Sequence, residues 1–170
     1  MNRIRHIFTI LLIVTAIQSC GVYSFTGADI DYSTTKTFQV SFFQNNAPIV
    51  EPGIDRVFTQ QLQDLILNQT SLDLVNNSGH LIYEGEIIEY YIAPITATSQ
   101  STAAQNRLTI SVNLRFYNTN DEEKDMEQRF SFYFDYTGST QLIGSQLDDA
   151  VNIIFERITQ DIFNITLANW

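Results

Sequence analysis

The sequence predicts an α+β domain: a two-layer sandwich of two helices packed on one face of a mostly antiparallel four-stranded sheet. Three observations lead there. Two segments, one early and one at the C-terminal end, carry apolar residues at helical spacing. Two others alternate apolar and polar residues and flank a turn-rich stretch, as the arms of an antiparallel hairpin do. The order of segments is strand, helix, three or four strands, helix, with no repeat or low-complexity stretch between them.

Taken in order, Phe38, Val40 and Phe42 alternate with Gln39 and Ser41, the period of a strand with one buried face. Asn45-Asn46-Ala47-Pro48 ends it. After Pro52-Gly53, the residues Ile54, Val57, Phe58, Leu62, Leu65 and Ile66 form the stripe of an amphipathic helix. Leu72 to Val75 is a short edge strand, and Asn76 to Gly79 is a turn by composition. Leu81 to Ile92 is strand-like but imperfect, because Ile82, Glu84, Glu86 and Ile88 share one parity. A bulge near Gly85 accounts for the mixture. Leu108 to Phe116 alternates cleanly, and Met126 to Phe134 nearly so, on either side of Asn118-Thr119-Asn120-Asp121. The last helix spans about Leu142 to Leu167, with Leu147, Ala150, Val151, Ile154, Ile158 and Ile162 as its buried stripe.

The N-terminus has a different character. Arg3, Arg5 and His6 precede an apolar run from Ile7 to Ile17, too short to cross a bilayer, which needs about 20 residues, and laid out like a secretory signal. Ile17-Gln18-Ser19-Cys20-Gly21 then resembles the lipobox of bacterial lipoproteins, with Cys20 the residue that is lipidated. The alternative is an ordinary signal peptide followed by a free cysteine. Cys20 is the only cysteine, so an intramolecular disulfide is impossible. The expected organisation is a signal peptide over 1–19, a lipidated N-terminus and tether over 20–36, and one domain over 37–170. Acyl chains on Cys20 are expected to hold the protein to the membrane, and the lack of acidic residues over 21–26 favours the outer membrane.

Composition narrows the function. Of 170 residues, 44% are hydrophobic and 12% aromatic, with few Gly and Pro, which excludes collagen-like and disordered classes. The net charge is −10, and removing residues 1–19 leaves seven basic against nineteen acidic residues, or −12. Such a balance opposes broad nucleic-acid binding, which Lys and Arg drive. His80 is the one histidine after residue 19 and reads as a solvated turn residue, so no metal site or other cofactor is expected. Glu84 and Glu86 share a strand face, a pairing that serves glycoside hydrolysis or calcium binding but more often only solvation. The run Asp121 to Asp125 lacks the spacing and the Gly of an EF-hand loop and reads as a solvated hairpin tip. No catalytic residue is expected.

One loop stands out. Ala93 to Asn106 contains no charged residue, and loops beyond about 12 residues tend to be functional or disordered. Its hydroxyl- and amide-rich composition suits either insertion into a polar protein interior or a flexible surface loop.

Together with the lipobox, the stretches Phe42 to Val50, Asn106 to Val112 and Asp161 to Trp170 resemble the LptE family of lipopolysaccharide-assembly lipoproteins, in its Bacteroidetes form. The resemblance spans essentially the whole chain after residue 19. It implies a two-helix, four-stranded sandwich without catalytic activity. Such a protein is anchored on the periplasmic side of the outer membrane, lodged in an LptD-like β-barrel, and assists its assembly and the placing of lipopolysaccharide in the outer leaflet. The uncharged loop then offers Pro94, Ile95, Thr98, Gln100 and Asn106 as barrel-facing residues. The family's binding of lipopolysaccharide through basic residues makes Arg107, Arg115 and Arg129 candidates, although strand-face arginines also pair readily with acidic neighbours. The reading from another class is a periplasmic lipoprotein that binds a lipid or glycan alone.

Overall fold

The computed structural model describes residues 28, 30–49, 51–95, 105–138 and 142–168. Its elements are β1 (Thr37–Val40), β2 (Gln44–Asn45), α1 (Ile54–Gln69), β3 (Asp73–Leu74), β4 (Leu81–Ile95), β5 (Gln105–Asn118), a 3-10 turn (Glu122–Lys124), β6 (Met126–Thr137) and α2 (Ser145–Leu167). The α+β class and both helices are as expected, with α2 starting at Ser145 and not at Leu142.

The sheet corrects the expected topology. It has six strands, not four, in the order β3-β1-β4-β5-β6, with β2 also on β4. Only β4-β5-β6 is antiparallel, while β1 and β2 run parallel to β4, and β3 runs parallel to β1. Parallel neighbours need a long crossover, which α1 supplies between β1 and β3. β3 is the short edge strand expected over Leu72 to Val75, whereas β2, two residues long, is too short to leave any periodicity in a sequence.

β1 and β2 are two pieces of one interrupted strand alongside β4, against Leu81–Tyr83 and Glu86–Ile87 respectively. At the interruption the alternation fails. Phe42, expected in the core, is 54% exposed, and Phe43 is fully buried instead. The Phe43 N–H donates to Thr59 Oγ1 on α1 at 3.1 Å, and its ring packs edge-on against Phe58, which packs in turn on Phe155 of α2. These three rings tie the sheet edge to both helices.

β4 contains a bulge, but at Ile88 and not near Gly85, because the register with β5 shifts between Ile87 and Glu89. Before it Leu81, Tyr83 and Ile87 face the core, and after it Tyr90 does, which explains the mixed pattern. Gly85 has another purpose. A Cβ there would overlap Asn113 O and lie 2.6 Å from Phe43 Cε1, so glycine makes room for the buried ring.

On β5, Leu108, Ile110, Val112, Leu114 and Phe116 are buried beneath the helices, joined by Phe130 of β6. Full burial of such side chains contributes about 1.5–3 kcal/mol each. Tyr83 lies wholly inside, its hydroxyl 3.1 Å from Thr166 Oγ1 of α2, and burial pushes that hydroxyl well above the usual tyrosine value. Tyr90 is also buried. Its hydroxyl has no partner among the described residues and is pushed up to about 12 by burial, then by Glu51 and Tyr136. Ala28, Ile30 and Tyr32, at the end of the tether segment, already pack against this core. No helix among the described residues is long and apolar enough to cross a membrane.

Candidate functional site

Helices cover one face of the sheet and leave the other open. The alternation of β5 sends Arg107, Thr109, Ser111, Asn113 and Arg115 to this open face, and the registers set β4 and β6 residues beside them. All three candidate arginines therefore share one surface, and each meets a carboxylate. Arg107 Nε and Nη2 donate to Asp135 at 2.6 and 2.8 Å, and its guanidinium carbon stands 3.6 Å from the centre of the Tyr133 ring. Arg115 grips Glu86 through Nη1 and Nη2 at 3.1 and 2.9 Å. Arg129 Nη2 donates to Glu89 Oε2 at 2.6 Å and to Ser111 Oγ at 3.0 Å.

Ser111 is the hub of the last group. It is completely buried, 2.7 Å from Glu89 Oε2 and 2.9 Å from Ser131 Oγ, so the three antiparallel strands β4, β5 and β6 are stitched by one hydroxyl. Asn113 similarly bridges Glu86 and Glu127.

The electrostatics follow from these bonds. Hydrogen bonding from Arg115 holds the Glu86 carboxyl below the usual glutamate value, against the opposing effect of burial and with help from the Asn113 hydrogen bond and the Arg115 charge. Arg107 does the same for Asp135. A general acid needs the reverse, a carboxyl held up so that it keeps its proton. Glu84 and Glu86 do share the open face, but Glu86 is committed to Arg115 and Asn113. Among the described residues no group of three or more His, Cys, Asp or Glu could hold a metal ion.

The remaining candidates are spread out. His80 is half-buried, less solvated than its turn position predicts, with Nδ1 2.6 Å from Thr37 Oγ1. At the β5–β6 tip, Asp125 Oδ1 accepts the Asn118 N–H at 2.7 Å, which closes the turn. Strands occupy both ends of the uncharged stretch expected to be a loop. Pro94 and Ile95 belong to β4, and Asn106 belongs to β5 with its amide bonded to Gly138 O; Pro94 is paired with Asn106 and Ile95 with Gln105. Strand pairing satisfies the backbone groups that a free loop would expose to water. Thr98, Gln100 and Cys20 lie outside the described residues.

Sequence reasoning missed two features of this face. Glu89 is the partner of Arg129, but the bulge at Ile88 hides its facing. Phe42 turns outward into a shallow groove that it shares with Ser41, Gln44, Glu84, Glu86 and Arg115, and only the break after Val40 reveals it.

No curated protein matches the chain. Among solved structures, a minor lipoprotein from Acinetobacter baumannii is similar at TM-score 0.48 and 11% identity, covering 77% of this chain and 90% of that one. A hypothetical protein from Chlamydia trachomatis gives 0.48 and 11%, over 79% and 99%. An uncharacterized lipoprotein B from Nitrosomonas europaea gives 0.42 and 14%, over 75% and 79%. The family comparison is more decisive, because residues 35–165, from just before β1 to the last turn of α2, match LptE, lipopolysaccharide-assembly, and the chain belongs to that family.

Proposed function

We propose that the protein is a non-enzymatic lipoprotein of the outer membrane, anchored through Cys20 on the periplasmic side. There it plugs an LptD-like β-barrel and assists the barrel's assembly for lipopolysaccharide transport and insertion into the outer leaflet. The observation that carries this reading is the family match over residues 35–165. Two features of the chain support it. The open face is polar with its three arginines paired, as suits a polar barrel lumen. The β4–β5 hairpin ends in residues without charge from Ala93 to Asn106, and Pro94, Ile95, Thr98, Gln100 and Asn106 are the proposed barrel contacts.

Arg107, Arg115 and Arg129 are the proposed lipopolysaccharide contacts. Phosphate groups of the lipid would have to displace Asp135, Glu86 and Glu89 from them, so binding is an exchange of anions and not capture by free cations.

Affinity purification of the tagged full chain from detergent-solubilised outer membrane tests the partnership. A large β-barrel recovered in stoichiometric amount is the expected result. Recovery of a lone monomer that binds lipid or glycan without a barrel would replace this reading with that of a stand-alone binding lipoprotein.

A further inference from the structure

At the margin of the open face the strand alongside β4 is broken, and the break builds a groove. β1 ends at Val40 and β2 begins at Gln44, so the backbone between them leaves the regular ladder and turns Phe42 outward. That turn is held from both sides. The Ser41 N–H donates to Tyr83 O at 2.8 Å, the Phe43 N–H to Thr59 Oγ1 at 3.1 Å and the Asn46 N–H to Ile87 O at 2.8 Å. The Phe43 ring is locked in the core between them. A backbone fixed in this way presents the exposed Phe42 ring to a ligand without a further cost of ordering.

The ring shares a space of about 280 Å³ with Ser41, Gln44, Glu84, Glu86 and Arg115, and with Asn46 at its end. Sites for drug-sized ligands begin at about 300 Å³, so this space suits one small ring. Its walls select further. An acyl chain needs apolar walls, and among the described residues Phe42 is the one apolar side chain here. A phosphate meets two carboxylates and one guanidinium unless it first displaces Glu86, whereas a neutral ligand leaves the Arg115–Glu86 pair closed at 2.9 Å. The remaining class has one apolar face and a rim of groups that both donate and accept hydrogen bonds. Gln44 and Asn46 are exposed amides with donors and an acceptor each, Ser41 supplies a hydroxyl, and the Glu84 carboxylate accepts from Ser41 Oγ at 3.5 Å with room for a second donor.

We propose that this groove binds a single neutral pyranose residue of a glycan, with the Phe42 ring against the C–H face of the sugar and Ser41, Gln44, Asn46 and Glu84 bonded to its hydroxyls. The C–H groups of a pyranose cover an aromatic ring as any apolar surface does, and its hydroxyls suit amide and carboxylate partners. The inference rests on the function proposed above only for the source of the sugar, which is either the glycan of lipopolysaccharide or a free polysaccharide. Because no ion pair opens, binding here is insensitive to salt, in contrast to phosphate contacts at Arg107 and Arg129.

The experiment uses the full chain in a zwitterionic detergent without a sugar headgroup. Methyl glycosides of glucose, galactose, mannose and N-acetylglucosamine are added, and transfer of saturation from protein to sugar protons is read by NMR. At least one glycoside should receive it, most strongly on one ring face and equally at low and high salt. Phe42→Ala should weaken binding by roughly tenfold, Phe42→Trp should keep it, and Glu84→Gln should weaken it several-fold. Phe42 is exposed, so unchanged unfolding midpoints establish that these variants fold. Delipidated lipopolysaccharide glycan and a neutral cell-surface polysaccharide form separate arms that identify the source, and Phe42-dependent binding of either supports the groove. Absence of Phe42-dependent transfer to every sugar tested overturns the proposal. So does displacement of the bound sugar by inorganic phosphate or methylammonium, because the groove then selects charge. No barrel enters these measurements, so their failure leaves the plug reading standing, and failure of the barrel purification leaves the sugar result standing.

Discussion

Gly85 and Glu86 are adjacent on β4 yet act on opposite faces of the sheet. On the core face, the missing side chain of Gly85 is the space that the Phe43 ring occupies. Gly85→Ala should therefore destabilise the fold by about 1–3 kcal/mol, the usual cost of overpacking, because the clash is with backbone and a buried ring. Denaturant unfolding measures this, and an unchanged midpoint would show that Phe43 can withdraw freely. On the open face, Glu86 has a carboxyl held below its usual value, chiefly by the Arg115 hydrogen bonds. A depressed folded-state value means that the stabilisation is fully present above the unfolded glutamate value, about 4.3, and disappears as pH falls through the lower folded value. Glu86→Gln should lose about 1 kcal/mol at neutral pH and show a weaker decline in melting temperature below about pH 4 than the unsubstituted chain. Equal acid slopes in both proteins would remove Glu86 from the explanation.

At the scale of elements, legibility in the sequence depended on whether a segment kept one period. β5 alternates without interruption over Leu108 to Phe116, and its burial follows that alternation at every position but Ser111, which is buried on the open face. β4 changes parity at Ile88, so its identity as a strand was legible but the facing of Glu89 was not. Phe42 was misplaced for the same reason, because β1 stops at Val40 and the chain turns before Phe43 enters the core. β3 was legible as a short edge strand, but its parallel pairing with β1, and β2 altogether, depend on neighbours that a local pattern cannot register. The candidate site divides similarly. That three arginines share the polar side could be read from strand parity, whereas their carboxylate partners depend on cross-strand register. The β4–β5 hairpin carries a prediction of its own. Its paired stem reaches Ile95 and Gln105, and the uncharged stretch continues beyond it. Thr98→Glu should weaken recovery of the barrel, because a charge moved into a polar but desolvated interface costs more than a neutral hydroxyl. Thermal stability should change by less than about 0.5 kcal/mol, the usual range for substitutions away from core contacts. An unaltered yield of barrel would make this hairpin end an ordinary surface loop.

For the whole molecule, the proposed anchor and the folded body separate into independent functions. The described core closes without Cys20, since Phe43, Phe58 and Phe155 join the helices to the sheet edge and Tyr83 joins the sheet to the end of α2. Seventeen positions separate Cys20 from Thr37, but Ala28, Ile30 and Tyr32 already lie against the core, so the free length of the tether is shorter than its sequence. At no more than about 3.5 Å per residue, the eight steps from Cys20 to Ala28 reach at most about 28 Å. Acyl chains on Cys20 would then hold the body within roughly its own diameter of the membrane surface. Cys20→Ala should abolish incorporation of labelled fatty acid while leaving the unfolding transition of the folded body unchanged. Barrel recovery should fall through lost local concentration and be restored when the variant is supplied in excess, as expected when a tether raises effective concentration without adding contacts. Continued labelling of the variant would place the acyl chains elsewhere, and recovery that excess protein cannot restore would mean that the anchor itself forms part of the interface.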